Sequence, residues 1–432
     1  MLKYKLSFLL KGKEKVAENE PRGNEARKIV TNKERQRRLQ AVRRKKLILR
    51  TVFVLLGVVI LVALIALTVT LVKAIKRIAS GSRSTDKYYC STYQLENSGG
   101  GDVVSNDSAI YILRGGVLTC AQTTGVTLWN ENLGSGDFKL LPYKNGIVVY
   151  AVGGDYVRCF DEDGLSWERT DTGPVSFVTL NPEASSCIIC TEESDRVSKI
   201  VYFSTKTAKS AKETLLEKPL RERYVLSAAI SPAGKSIAVV ELKTSDNGEN
   251  AATLISVYDV SSGKGFYSNL IENEICPYCS FAGETSLVAA GRRNVYLFEK
   301  INKNDTKTVR ISQLLSVGDT GDDVLCAMVT KKYVAVAVGR GDGRSSVKIF
   351  ELGTGEERSF SVPRAVKGLF TCGDKAFVCI TQDDFMVYDY EGNTVSACGE
   401  KIDIERIISD GSGHFAINGV YGTAIINVKK AG

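Results

Sequence analysis

From about residue 103 onward the chain alternates short apolar runs with clusters of Gly, Asn and Asp, which is the pattern of strands separated by turns. Only Lys209 to Arg223 has the spacing of an amphipathic helix. One element recurs: an apolar strand that closes with an aromatic, an acidic residue and then Gly. It reads CFDEDG (Cys159 to Gly164), VYDVSSG (Val257 to Gly263), IFELGTG (Ile349 to Gly355) and VYDYEG (Val387 to Gly392), with weaker copies TCAQTTG, YFSTK, LFEK and IINVK. Taking Cys120, Phe160, Phe203, Tyr258, Phe298, Phe350, Tyr388 and Ile426 as equivalent gives spacings of 40, 43, 55, 40, 52, 38 and 38 residues. Most lie near the roughly 40 to 45 residues of one four-stranded propeller blade.

Two strands joined by a turn precede each of these positions, as in YVLSAAISPAGKSIAVVEL before Tyr258. Runs such as GIVVYAV and YVAVAV are apolar on nearly every residue, so both of their faces are covered. Blades stacked around an axis meet that demand, whereas a two-layer sandwich does not. The pattern predicts an all-β propeller of about eight blades over residues 88–432, or seven if a terminal unit is not a blade. The eighth unit stops after its third strand, and Lys87 to Leu95 is predicted to supply the fourth and close the ring.

A second pattern lies upstream. Thr51 to Val72 is a run of 22 residues with no charge and no Pro. At about 1.5 Å per residue it is long enough to cross a hydrocarbon core and too long for the apolar region of a signal peptide. The expected organisation is a basic tail at 1–46, partly disordered with a juxtamembrane helix, one transmembrane helix at 47–73, a linker at 74–87, and the propeller. Residues 1–50 hold 17 Lys+Arg against 5 Asp+Glu, while only Lys73, Lys76 and Arg77 follow the span closely. The positive-inside rule therefore puts the N-terminus in the cytoplasm and the propeller outside. Arg43, Arg44, Lys45 and Lys46 are placed to contact anionic lipid.

Charge and cysteines narrow the picture. The formal net charge of +8 belongs to the tail, because the chain after Lys73 is at −5, and a nucleic-acid footprint on the propeller is not expected. All 11 cysteines follow the apolar span, mostly inside apolar runs, and read as small buried hydrophobes. Cys187/Cys190 and Cys276/Cys279 are CxxC pairs, but residues three apart on a strand point to opposite faces and the chain has one histidine, so no metal site is expected.

TTGVTLWNENLG (Thr123 to Gly134) resembles the repeat of pyrroloquinoline-quinone-type propellers, and DEDGLSW (Asp161 to Trp167) is a shorter copy. That resemblance implies that Trp129 and Trp167 dock between blades. SPAGKSIAVV and VYDVSSG resemble WD40-type blades. Over nearly all of residues 88–432 the chain is similar to bacterial membrane-anchored propellers of no assigned function.

No set of residues to hold a quinone and calcium is found, and no cofactor is expected. His414, in the turn DGSGHF, reads as solvated surface rather than as part of a catalytic triad. Asp322/Asp323 and Asp383/Asp384 are adjacent acids in turns. GRGDGRSS (Gly339 to Ser346) lacks the ending of a phosphate loop. The spacings of 55 and 52 mark insertions, which tend to gather on one, often binding, face. Leu242 to Ala252 and GRGDGRSS are assigned to connections between second and third strands, and Lys209 to Arg223 and Gln313 to Asp323 to connections between blades. These emerge on one rim and would gather Asp246, Glu249, Asp319, Asp322, Arg340, Asp342 and Arg344 there. The expected function is a membrane-tethered extracytoplasmic scaffold that binds a protein or envelope polymer. The alternative is a glycan-active enzyme with carboxylates in the central funnel.

Overall fold

The strand-and-turn runs fold into eight four-stranded antiparallel sheets, the blades of a propeller. Blade 1 takes residues 102–132, blade 2 138–169, blade 3 175–221, blade 4 224–271, blade 5 278–316, blade 6 323–362 and blade 7 366–398; in each, the order in the sheet is the order in the chain. Blade 8 takes Ile404–Ser409, His414–Gly419 and Gly422–Lys430, and its fourth strand is Tyr88–Leu95. That strand pairs with the third from Tyr88↔Lys430 to Leu95↔Thr423, closing the ring as the sequence predicts.

This computed structural model describes residues 88–95 and 102–430 except 171, 182–184, 195–196, 222–223, 245–250, 319, 341–342, 399–403 and 420–421. The run Thr51 to Val72 and the cluster Arg43, Arg44, Lys45 and Lys46 lie outside the described residues. Among the described residues no helix is long and apolar enough to cross a membrane.

First strands of neighbouring blades lie beside one another around the axis. The second strands are the driest parts of the chain: every residue of Gly146–Ala151, Leu287–Ala290, Tyr333–Gly339 and Ala376–Thr381 is buried. Both faces of each blade are therefore covered, as the continuous apolar runs require. The fourth strands are the most exposed, as in Thr127–Asn132 and Arg310–Ser316. Each junction between blades holds one apolar cluster. The one between blades 8 and 1 is the smallest, with Val103, Ile110, Ala416 and Ile425 buried.

The connectivity defines two faces. Connections from second to third strands, and from one blade to the next, emerge on the upper face. Those from first to second and from third to fourth strands emerge on the lower face. Because Tyr88 pairs with Lys430 at the lower end of its blade, the chain enters the propeller from below.

Lys209 to Arg223 is not a connection between blades. Only Ala208–Ala211 is helical, and Thr214–Arg221 is the fourth strand of blade 3. Pro219 explains the outcome: it would break a helix, yet it is tolerated on an outer edge strand. Similarly, Arg310–Ser316 is the fourth strand of blade 5, so the connection between blades 5 and 6 shrinks to 317–322. The long spacings thus have contributions on both faces. The interval from Phe203 to Tyr258 holds 205–213 below and 245–250 above, and that from Phe298 to Phe350 holds 300–309 below and 340–344 above.

Candidate binding rims

On the upper face, the connections between blades are pinned by side chains of the blades they join. Thr253 of blade 4 donates its hydroxyl to the Glu274 carbonyl at 2.7 Å and accepts the Cys276 N–H at 2.9 Å. Glu274 in turn caps the turn of blade 5, accepting the N–H groups of Arg293 and Asn294 at 2.8 and 3.1 Å and the Asn294 side-chain amide. Connection 317–322 is held from both sides. Arg292 of blade 5 forks onto Asp323, Nε at 2.8 Å and Nη2 at 3.0 Å from its two oxygens. Arg340 of blade 6 donates Nε to Asp322 at 3.1 Å and Nη2 to the Thr320 carbonyl at 2.5 Å. The hydrogen bonds and charge of Arg292 hold the Asp323 carboxyl below the usual carboxylate range.

Of the seven residues expected on this rim, the structure brings Asp322 and Arg340 into contact and leaves Arg344 exposed on the same loop as Arg340. Asp246, Glu249, Asp319 and Asp342 lie outside the described residues. Sequence reasoning did not single out Arg292, Glu274 or Arg364. The last of these bridges Asp383 and lies 3.7 Å from Asp384. All four acids of the two adjacent pairs are thus bridged to arginine.

The lower face is organised by caps of another kind. Asn106 accepts the Ser108 and Ala109 N–H groups and donates to the Tyr143 and Gly146 carbonyls of blade 2. Asn181 accepts the Ser186 N–H and donates to the Pro232 carbonyl of blade 4. Two junctions open here into equivalent clefts, of about 580 Å³ between blades 2 and 3 and about 480 Å³ between blades 4 and 5. In the second, Asp259 accepts from Ser261, Ser262 and Lys303, and these partners hold its carboxyl well below the usual range.

His414 is not solvated surface. Its ring is buried between Asp410 Oδ2, 2.8 Å from Nδ1, and Asp107 Oδ1 of blade 1, 3.2 Å from Nε2. Burial pushes the Asp410 carboxyl up, but hydrogen bonds from His414 and Ser412 outweigh it and leave that carboxyl below its ordinary value.

The two tryptophans dock as expected. Trp129 donates its indole N–H to the Asp161 and Glu162 carbonyls of blade 2 and lies 5.4 Å from the Phe160 ring. Trp167 meets Phe203 of blade 3 edge to face at 5.5 Å. The ten described cysteines are free thiols. Cys276 lies in a connection rather than on a strand, so it joins Cys279 in a single cluster between blades 4 and 5, and burial pushes each thiol up to about 12.

Among solved structures, the C-terminal WD40 domain of Sif2 matches with 12% identity over 77% of this chain and 97% of that one, at a TM-score of 0.51. Chaetomium thermophilum Sqt1, bound to the N-terminus of ribosomal protein L10, matches with 11% identity over 80% and 97%, at 0.50. The uncharacterized protein lmo1340 of Listeria monocytogenes EGD-e matches with 12% identity over 66% and 90%, at 0.46. At such identities the likeness to the first two is one of fold. No curated protein sequence matches the chain. A family profile described as "Family of unknown function (DUF5711)" matches residues 82–419.

Proposed function

We propose, from the premise that the chain belongs to the DUF5711 family of unknown function, that it is a membrane-tethered propeller that binds an extracytoplasmic protein or cell-envelope polymer through its upper rim. The observation that carries this reading is the pair of guanidinium clamps, Arg292 on Asp323 and Arg340 on Asp322, which fix a connection between blades from both sides. A rim held this way is preorganised, and preorganisation lowers the cost of binding a partner. The fold serves as a protein-binding surface in the Sqt1 structure. The chain enters the propeller from below, at the end of the blades opposite this rim.

The test is in-cell crosslinking from the loops at 245–250 and 340–344, with the captured material identified. Loss of capture in an Arg340→Ala, Asp342→Ala, Arg344→Ala variant that still folds is the expected result. Undiminished capture by that variant ends the rim proposal. Topology is read separately, by the accessibility of tags at residues 1 and 432 to an impermeant reagent.

A further inference from the structure

The lower face segregates charge. Residues 88–432 carry 35 Lys+Arg against 43 Asp+Glu, yet the lower connections of blades 3 to 6 hold ten lysines and no arginine against five acids, Glu183, Glu213, Glu284, Asp305 and Glu356. Two long connections supply most of it: 205–213 with Lys206, Lys209 and Lys212, and 300–309 with Lys300, Lys303 and Lys307. All ten are exposed. Lys303 and Lys332 are held by Asp259 and Glu351, while the other eight make no ion pair among the described residues. Lysine is a compact, hydrated point charge suited to a diffuse field, whereas the fork-shaped arginines sit on the opposite rim in specific bridges.

A second observation falls on the same face. The four most exposed large apolar side chains among the described residues are Val126 (57%), Leu165 (53%), Leu215 (52%) and Ile311 (47%). Each stands at the lower end of an outermost strand, in blades 1, 2, 3 and 5. Two of them directly adjoin the lysine-bearing connections: Leu215 follows 205–213, and Ile311 follows 300–309. Leu165 and Lys212 line one cavity of about 540 Å³. Apolar anchors beside lysines are the pattern of a surface lying in a bilayer interface.

We infer that the lower face of blades 3 to 6 docks on an anionic phospholipid surface, its lysines meeting the headgroups and Leu215, Ile311 and the adjoining Leu165 of blade 2 entering the interface. The inference rests on the tethered reading above for its orientation, since the chain also enters on this face. A planar array of turn tips with apolar side chains at its edge fits a planar interface, whereas a soluble polyanion would leave those side chains without a role.

The eight sheets close without any residue before Tyr88, so residues 85–432 suffice for the test. This fragment is floated with phosphatidylcholine vesicles, with and without about one third phosphatidylglycerol, and binding to soluble polyphosphate is measured in parallel. It should float only with the anionic vesicles, and about 0.5 M salt should release it. A K206E/K209E/K300E/K307E variant should partition about tenfold or more less well. L215S/I311S should float less well at low salt. If the charge-reversed protein does not melt cooperatively, the corresponding Lys→Gln set replaces it. Flotation with both vesicle types or with neither, indifference to the lysine changes, or binding to polyphosphate without flotation overturns the inference. Carbonate extraction of the full chain from membranes would end the tethered reading while leaving the flotation result intact.

Discussion

His414 of blade 8 and Asp107 of blade 1 meet across the seam where the ring closes, Nε2 lying 3.2 Å from Oδ1. At the upper end of the same seam Arg406 reaches Asp102 at 2.5 Å. These two polar links flank the smallest apolar cluster among the eight junctions. Where apolar area is scarce, charge-assisted hydrogen bonds take a larger share in holding two blades together.

Removing the imidazole should be costly because it takes a partner from the Asp410 carboxylate, which has no exposed side-chain surface and would keep only its bonds from Ser412 and the residue 414 backbone N–H. His414→Ala should destabilise the propeller by about 3 kcal/mol. Asp107 is half exposed, so Asp107→Ala should cost no more than about 1 kcal/mol. Urea unfolding of residues 85–432 measures both, and equal costs would show that His414 does not support Asp410.

Asp410 also sets an acid limit. Its folded-state carboxyl lies below the ordinary value, so its contribution is fully present above about pH 3.9 and is lost as pH falls through the lower folded value. Asp259, held down by Ser261, Ser262 and Lys303, adds a contribution of the same sign. The melting temperature should therefore drop below about pH 4, and Asp259→Asn should flatten that dependence. An unchanged slope in the variant would contradict the assignment.

The tryptophans should differ in their weight. Trp167 is buried at 6% exposure and Trp129 only partly buried. Trp167→Ala should cost about 3 to 5 kcal/mol and Trp129→Ala less, though the latter also leaves two carbonyls of blade 2 without their donor. Chemical denaturation of each variant ranks them.

Two glycines offer a paired test of backbone constraint. Gly116 and Gly125 both have positive φ, at 79° and 87°, but a methyl group on Gly116 would collide with the Gly134 carbonyl, whereas Gly125 has open space. Gly125→Ala should cost about 1 kcal/mol. Gly116→Ala should cost clearly more, read from the shift in the urea midpoint.

Much of this fold is legible in the chain because its signals are local. Runs such as GIVVYAV disclose second strands covered on both faces, and Gly-bearing turns mark the hairpins. Registration was less secure. A bulge opposite the end of the third strand aligns Phe160 with Ala121 rather than with Cys120, a shift hidden in the sequence because blade 1 lacks the aromatic that marks the position in blades 2 to 7. Thr214–Arg221 was hidden by its helix-like spacing, although Pro219 argued against that reading. The rim was legible only as loops. That Arg340 would meet Asp322 could be guessed from shared connectivity, but the fork of Arg292 on Asp323 depends on how neighbouring blades are set against each other. His414 shows both cases. Asp410 lies four residues upstream across a glycine-rich turn and was within reach of a local reading, while Asp107 lies on the far side of the closing seam.

Closure by Tyr88–Leu95 also fixes a schedule for the nascent chain. Its partner strand, Gly422–Lys430, is made more than three hundred residues later. At ordinary elongation rates the first strand waits roughly 15 to 65 s for its mate. Seven blades can assemble in that interval, but the eighth is left with two open edges until the last strands emerge, and strand edges of this kind invite pairing with other chains. The most vulnerable interval is therefore the one just before Gly422–Lys430 is made. A ribosome stalled short of Gly422 would release a nearly complete propeller that has no way to shut.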